Sequence, residues 1–232
     1  MLMLSESQVE FRRRLYNEWL PAFCKDERRQ YPLDGFRDDS ITVSDFDAAN
    51  FLTAFEKGLV RDQGGGRYLC AQSKAQEQLF WEGSRAKSPR PITLWLEPII
   101  TIATAARLRF SFGWPEELIG MQSKDWAFDF AAFRPGDLEN EHIAGEVKKS
   151  AREIDLLLED ILGFCDSQIV ECPSDKPHVV NSFKKWVAIR ERKPTLFWAV
   201  GPDDYTKVFR VSLSKNGFVQ LAEAGLEQLH FE

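Results

Sequence analysis

The sequence is poor in the residues that most metal and redox centres require. Only three histidines and four cysteines occur among 232 residues. The histidines are too far apart to form a local ligand motif, and the cysteines, at positions 24, 70, 165 and 172, include no Cys-x-x-Cys pair. We therefore expect neither a structural zinc site nor a disulfide framework, and we interpret the cysteines as reduced, mostly buried thiols.

Long hydrophobic runs are lacking as well. The most apolar stretch, residues 92–106, contains Glu97 and Pro98 and falls short of a membrane span. The first residues lack the basic stretch and long apolar run of a signal peptide. The sequence thus predicts a soluble, cytoplasmic protein that has no membrane partner.

An excess of positive charge is also missing, because the formal net charge is -6. Binding to nucleic acid would therefore depend on a local basic patch. The three glycines at 64–66 are not followed by the Gly-Lys-Ser/Thr of a phosphate-binding loop, and no nucleophile elbow supports a Ser-His-Asp triad. Nucleotide-binding loops and triad hydrolases are thereby disfavoured.

Apolar residues, by contrast, make up 44% of the chain, enough for one large domain or two small ones. Periodicity predicts a helix near residues 5–25, a second helix capped by Asp45, and a hairpin around the glycines. This N-terminal part, residues 1–90, fits a small helical cap better than a winged-helix module. Residues 83–91 have linker composition, so we place a domain boundary there.

The remaining part, residues 91–232, alternates helical and extended patterns. A helix is expected at 98–110, or from about 92 with a bend at Pro98. Strands are expected at 118–122, 125–133, 142–149, 195–200 and 208–213, with a helix capped by Ser150 and a terminal helix at 217–224. This order predicts a mixed α/β fold with a central sheet flanked by helices.

An aspartate lies among aromatic residues in the second of these expected strands. Because strand side chains alternate between faces, Asp129 is expected on one face and Trp126, Phe128 and Phe130 on the opposite, core-facing side. The arrangement would leave the carboxylate on a surface lined by alanines.

A Glu-x-Lys motif lies on the next expected strand. Glu146 and Lys148 are two residues apart and therefore share a face. A simple hairpin centred between Asp137 and Leu138 would place Asp129 opposite Glu146, with Cβ atoms ~5 Å apart. Two carboxylates and one ammonium group would then converge.

Two carboxylates this close repel each other unless a cation lies between them. Mg²⁺ is typically held by one or two carboxylates together with water and phosphate oxygens, and it activates bound water for attack on phosphate. Lys148 could orient or deprotonate that water or stabilise the transition state, and the helix beginning after Ser150 would add positive potential.

The pattern of an acidic residue on one strand, Glu-x-Lys on the next and a helix on either side resembles the PD-(D/E)XK nuclease superfamily. The resemblance covers residues 91–213 and identifies Asp129 and Glu146 as the metal-binding acids and Lys148 as the catalytic lysine. Phe128 stands where the family motif has proline. Many members carry a further glutamate on the preceding helix, for which Glu97 is the candidate and Glu117 the fallback.

This resemblance implies a restriction endonuclease-like core that hydrolyses phosphodiester bonds with Mg²⁺ or Mn²⁺. DNA is favoured over RNA because DNA substrates are commoner in the family, and restriction or antiviral defence is the implied setting. A homodimer or an activating protein partner is compatible with it.

Two other interpretations stay open. Glu146 and Lys148 could be ordinary surface charges, whose pairing is worth under ~1 kcal/mol. The chain could also be a catalytically silent member of the fold that binds nucleic acid or a protein. Five basic residues in the segment 184–193, together with Arg107, Arg109, Lys149 and Arg152, either contact phosphates or form solvated faces.

Overall fold

A computed structural model describes residues 4–165 and 171–232 and contains a mixed α/β fold. The helices are α1 (Glu6–Arg14), α2 (Leu20–Lys25), α3 (Asp45–Glu56), α4 (Leu96–Phe110), α5 (Ala151–Phe164) and α6 (Pro177–Arg192), with a π-helical segment at Leu15–Trp19. The strands are β1 (Arg61–Asp62), β2 (Arg67–Leu69), β3 (Glu77–Gln78), β4 (Phe80–Glu82), β5 (Ile92–Leu94), β6 (Ile119–Met121), β7 (Phe130–Arg134), β8 (Asp137–Val147), β9 (Leu196–Val200), β10 (Thr206–Leu213) and β11 (Val219–Ala224).

The central sheet has six strands in the order β11-β10-β9-β8-β7-β6. Strands β8 and β9 are parallel, and the other neighbours are antiparallel. Strands β8 and β9 can be parallel because α5 and α6 lie between them in the sequence. The chain returns through these helices to the end of the sheet at which β9 begins.

Both faces of this sheet are covered, as the continuous apolar sequence of β9 indicates. Leu196, Trp198 and Val200 pack on the face that α4 covers, whereas Phe197 and Ala199 pack against α5 and α6. Strand alternation therefore separates two hydrophobic clusters, one on each side.

The N-terminal region packs on the α4 side. A capping box at Ser5 begins α1, and Ser44, one residue before the expected Asp45, caps α3. The expected hairpin is present as β1 and β2, with β3 added beside it. One hydrophobic cluster includes residues from both sides of residue 90, such as Phe51 and Ile102, and the division at 90 stays a prediction.

Strands β7 and β8 pair in the expected register near Phe130, but a different turn connects them. The turn lies at Pro135 and Gly136, so the expected centre between 137 and 138 was wrong. Two register shifts in β8 insert extra residues, after which Phe130 pairs with Gly145. The paired residues end there: the Asp129 amide donates to the Gly145 carbonyl, and the expected pairing of Asp129 with Glu146 stays a prediction.

The expected strand at 125–133 was wrong in its first half. Lys124–Trp126 form a 3₁₀ turn in which Asp125 and Trp126 have positive φ, and β7 begins only at Phe130. Strand alternation therefore fails before Phe130: Trp126 is exposed, and Phe128 and Phe130 enter different clusters.

The expected terminal helix at 217–224 was also wrong. These residues form the edge strand β11, paired with β10 through a turn in which the Gly217 amide donates to the Ser214 carbonyl. Val219 and Leu221 are two residues apart and both pack on the α5 and α6 side. This two-residue period is typical of a strand, and we had interpreted the segment as a helix. In the described ranges, no helix is long and apolar enough to cross a membrane.

Candidate active site

Asp129 lies at the entry to β7, where backbone groups of two neighbouring segments hold it. Its amide donates to the Gly145 carbonyl at 2.9 Å, and its own carbonyl accepts from the Gln122 amide at 2.7 Å. One carboxylate oxygen, Oδ2, accepts from the Val147 amide at 2.7 Å. The carboxylate is thereby fixed beside the strand segment that carries Glu146.

Glu146 is a buried carboxylate, 2% exposed, held between two lysines. Lys148 Nζ donates to its Oε1 at 2.6 Å, and Lys185 Nζ from α6 lies 2.5 Å from its Oε2. Both carboxylate oxygens of Glu146 therefore face an ammonium group. This arrangement rests on α6 as well as on β8.

Burial and charge act in opposite directions on this cluster. Burial alone would raise the pKa of Glu146, but Lys185 and Lys148 outweigh it and hold that pKa below its ordinary value. Burial alone would lower the pKa of Lys148, but Glu146 and Asp129 raise it. At neutral pH, Glu146 is therefore ionised and Lys148 protonated.

Asp129 behaves differently from Glu146. Burial and the neighbouring negative charge of Glu146 raise the pKa of Asp129 to about 7, against weaker lowering by Lys185, Lys148 and the Val147 amide. Two adjacent carboxylates whose pKa values are pushed in opposite directions are a feature of functional sites.

Glu97, in the first turn of α4, lines the same cleft as Glu146 and Lys148. The cleft has a volume of about 350 Å³, and Lys149, Glu153 and His178 also line it. Trp95 Nε1 donates to Glu97 Oε2 at 3.1 Å. Burial raises the pKa of Glu97, and the positive charge of Lys148 partly offsets that effect.

The structure thus brings Glu97, Glu146 and Lys148 to one cleft, and Asp129 is hydrogen-bonded to Val147, the residue between Glu146 and Lys148. Pro98 lies within the first turn of α4, which begins two residues earlier than expected. Glu117 is exposed in a separate 3₁₀ segment and does not line the cleft, so the fallback is not supported by its position. Arg107, considered as a phosphate contact, is buried on the α4 side and paired with Asp204 at 2.6 Å.

Sequence reasoning missed two residues of this cluster. Lys185 was treated only as part of a basic segment, although it follows the cleft residues Asn181 and Ser182 by one helical turn. Glu77 on β3 is buried and accepts from Gln122 Nε2 at 2.7 Å. Burial raises the pKa of Glu77 to about 8, and the negative charges of Asp129 and Glu97 add to that effect.

A divalent cation would have two acidic side chains to bind here. Among the residues that the structure describes, no group of three or more His, Cys, Asp or Glu side chains is arranged to hold a metal. Asp129 Oδ1 makes no hydrogen bond within the described ranges, whereas each oxygen of Glu146 faces a lysine ammonium group. Carboxylates are ligands that Mg²⁺ accepts in proteins, one or two at a time, with water and phosphate completing its shell.

Comparison of the chain with family models, with curated proteins and with solved structures finds no match.

Proposed function

We propose that the chain is a metal-dependent nuclease of PD-(D/E)XK type. The observation that carries this proposal is the buried Glu146 carboxylate held between Lys148 and Lys185 beside Asp129, whose pKa is raised to about 7. Burying a charged cluster of this kind is costly, because desolvation offsets much of the Coulombic gain, and such clusters are found most often at functional sites.

The order of elements around the cluster supports the finer fold assignment that we propose. Helix α4 precedes the antiparallel strands β6, β7 and β8, and α5 and the parallel strand β9 follow. We propose that this is a restriction endonuclease-like core, with Glu97 on its leading helix.

Asp129 and Glu146 would hold Mg²⁺ or Mn²⁺. The bound cation would lower the pKa of water and stabilise negative charge on the scissile phosphate. In this proposal Lys148 keeps its proton and donates to the phosphate oxygen on which charge develops. Lys185, which is paired with Glu146 Oε2, would give way to the cation and could then contact the phosphodiester backbone. The N-terminus of α5, capped by Ser150, adds positive potential beside Lys149.

Cleavage of labelled nucleic acid tests the proposal. Duplex DNA, single-stranded DNA and RNA are incubated with Mg²⁺, with Mn²⁺ and with EDTA. We expect metal-dependent cleavage, with DNA preferred, that falls ~10²–10⁴-fold in Lys148→Ala and is lost in Asp129→Ala. Lys207→Ala, an exposed lysine on β10, is the control and should cleave like wild type. Wild-type protein that is folded and cleaves none of these substrates would contradict the proposal.

A second function, a catalytically silent module that binds nucleic acid or a protein, is favoured by one observation. Both oxygens of Glu146 already face lysine ammonium groups, so the carboxylate is neutralised without metal. Such a module would bind its partner equally well with Mg²⁺ or with EDTA. Neither the wild type nor Lys148→Ala would hydrolyse nucleic acid.

A further inference from the structure

A second groove extends from the cluster on the side away from Glu97. It has a volume of about 590 Å³ and runs between the 124–127 turn and α6, with Glu146 and Lys148 at one end. Trp126 forms part of one wall, and Asn181, Lys184 and Arg192 form part of the other.

Trp126 is unusual among the large apolar side chains of the groove. Its side chain is 68% exposed, the highest value among the exposed large hydrophobic residues described. Asp125 and Trp126 both have positive φ, which L-residues with large side chains rarely adopt and which costs conformational energy. Core packing does not explain this conformation, because the indole lies outside both hydrophobic clusters.

The turn that presents Trp126 is anchored to α6. Arg192 donates to the Lys124 carbonyl and to Glu141 Oε1, each at 2.6 Å, and lies 3.5 Å from Asp125 Oδ2. The Trp126 amide donates to the Ser123 carbonyl at 3.1 Å. An aromatic ring held on a fixed backbone loses little entropy when a ligand stacks on it.

The lining of the groove carries four basic side chains and three acidic ones, including the exposed Glu191. Lys184 lines the groove and Lys124 belongs to the turn, and both are exposed. Within the described ranges neither lysine forms an ion pair, whereas Arg192, Lys148 and Lys185 are all paired. Lys124 and Lys184 are therefore available to a phosphate backbone that passes the exposed indole.

We propose that Trp126 is a stacking platform for an unpaired base of single-stranded nucleic acid, whose backbone contacts Lys124 and Lys184 on its way to Asp129 and Glu146. This inference rests on the proposed nuclease function and names its substrate class. A ring that projects into solvent beside free cations suits a base with an exposed face, whereas the bases of a duplex already stack on each other.

Binding in EDTA tests the platform without requiring metal or cleavage. Fluorescence anisotropy follows labelled 12-nucleotide single strands, the matching duplex, and an abasic strand with the same backbone. Wild type should bind the single strand more tightly than the duplex. Trp126→Ala should weaken single-strand binding between about 5-fold and 100-fold, and Trp126→Phe should retain most of it. Phe110→Ala, an exposed aromatic at the far end of α4, should bind like wild type.

The abasic strand identifies stacking as the cause. It should bind wild type and Trp126→Ala equally, because it offers no base to the ring. Lys184→Gln should reduce the dependence of log affinity on log salt by about 0.7. Equal binding of the normal strand by wild type and Trp126→Ala would overturn the inference, as would tighter binding of the duplex.

The two proposals fail separately. Binding that depends on Trp126, without hydrolysis when Mg²⁺ is added, would overturn the nuclease function and keep the platform. Metal-dependent cleavage, together with single-strand binding that Trp126→Ala does not change, would support the nuclease function and overturn the stacking platform.

Discussion

At the scale of single residues, the two neighbouring carboxylates of the site lie in different electrostatic environments. Glu146 receives two ammonium groups and keeps its charge, whereas Asp129 receives one backbone amide and the repulsion of Glu146. A cation bound by both carboxylates, as we propose, would relieve the repulsion that raises the pKa of Asp129.

The first prediction concerns stability and pH. The folded-state pKa of Asp129 is about 7, above its ordinary value of 3.8, so folding favours the protonated form. Its stabilising contribution is complete below pH 3.8 and is lost as the pH rises through 7. Glu77, with a pKa of about 8 against an ordinary 4.5, acts in the same direction. In metal-free buffer, the free energy of unfolding should therefore fall from pH 4 to pH 8.

Urea denaturation of two variants measures these contributions. Asp129→Asn and Glu77→Gln should each remove part of the decline, on the order of 1–3 kcal/mol apiece. Glu139→Gln, an exposed carboxylate on β8, is the control and should decline in parallel with wild type. Parallel declines in all four proteins would show that these groups do not hold their protons in the folded state.

A second prediction at this scale concerns Glu97. Its carboxylate lines the cleft and interacts with the charge of Lys148, so it should help to orient the cation and its water. Glu97→Gln should reduce the cleavage rate about 10- to 100-fold with little change in stability. Glu117→Gln, at the exposed position outside the cleft, should cleave normally. Equal rates for the two variants would remove Glu97 from the site.

At the scale of elements, β8 fixes the position of Glu146 through its fit against β7. The Phe130 ring covers Gly145, and a Cβ added at Gly145 would lie 1.9 Å from Phe130 Cζ. Phe130 in turn packs edge-on against Trp198, with ring centroids 5.3 Å apart. The glycine beside Glu146 is therefore required by close packing.

Gly145→Ala tests that requirement. We expect a loss of about 1–3 kcal/mol in the free energy of unfolding, because the ring must move in a filled core. Adding Phe130→Leu should recover part of the loss, with a coupling of about 1 kcal/mol. Gly163→Ala on α5, where an added Cβ meets nothing within 4 Å, is the control and should be neutral or stabilising. A neutral Gly145→Ala in urea denaturation would contradict this packing.

The sequence was informative about elements whose patterns are local. The apolar run at 195–200 and the Ser150 cap identified β9 and α5, and the two-residue spacing of Glu146 and Lys148 placed them on one face. Lys185 could not be found this way, because its contact with Glu146 joins α6 to β8 across the fold. Trp126 was misassigned because the positive φ values at 125 and 126 end the strand pattern that the apolar residues suggest.

At the scale of the whole molecule, the N-terminal region contacts both α4 and the connection between β9 and β10. The Arg107 guanidinium lies 5.1 Å from the centroid of the Phe46 ring, and Asp47 Oδ2 accepts from the Asp203 amide at 2.9 Å. Removing residues 1–90 would expose the apolar face of α4 and leave Arg107 without part of its surroundings.

We therefore expect a fragment of residues 91–232 to lose cooperative unfolding. Its urea transition should be broad and shifted to lower concentration, whereas residues 5–232 should unfold in one sharp step like the full chain. A fragment 91–232 with a sharp transition and native-like stability would show that the two parts fold independently.

The proposed hydrolysis requires Asp129 and Glu146 to form a cation site. Calorimetric titration with Mn²⁺ at pH 8, where Asp129 is ionised, measures this directly in wild type, Asp129→Asn and Glu146→Gln. We expect one Mn²⁺ per chain in wild type and at least a 10-fold weaker affinity in each variant. Mn²⁺ binding of equal affinity in all three proteins, or none in wild type, would contradict the account.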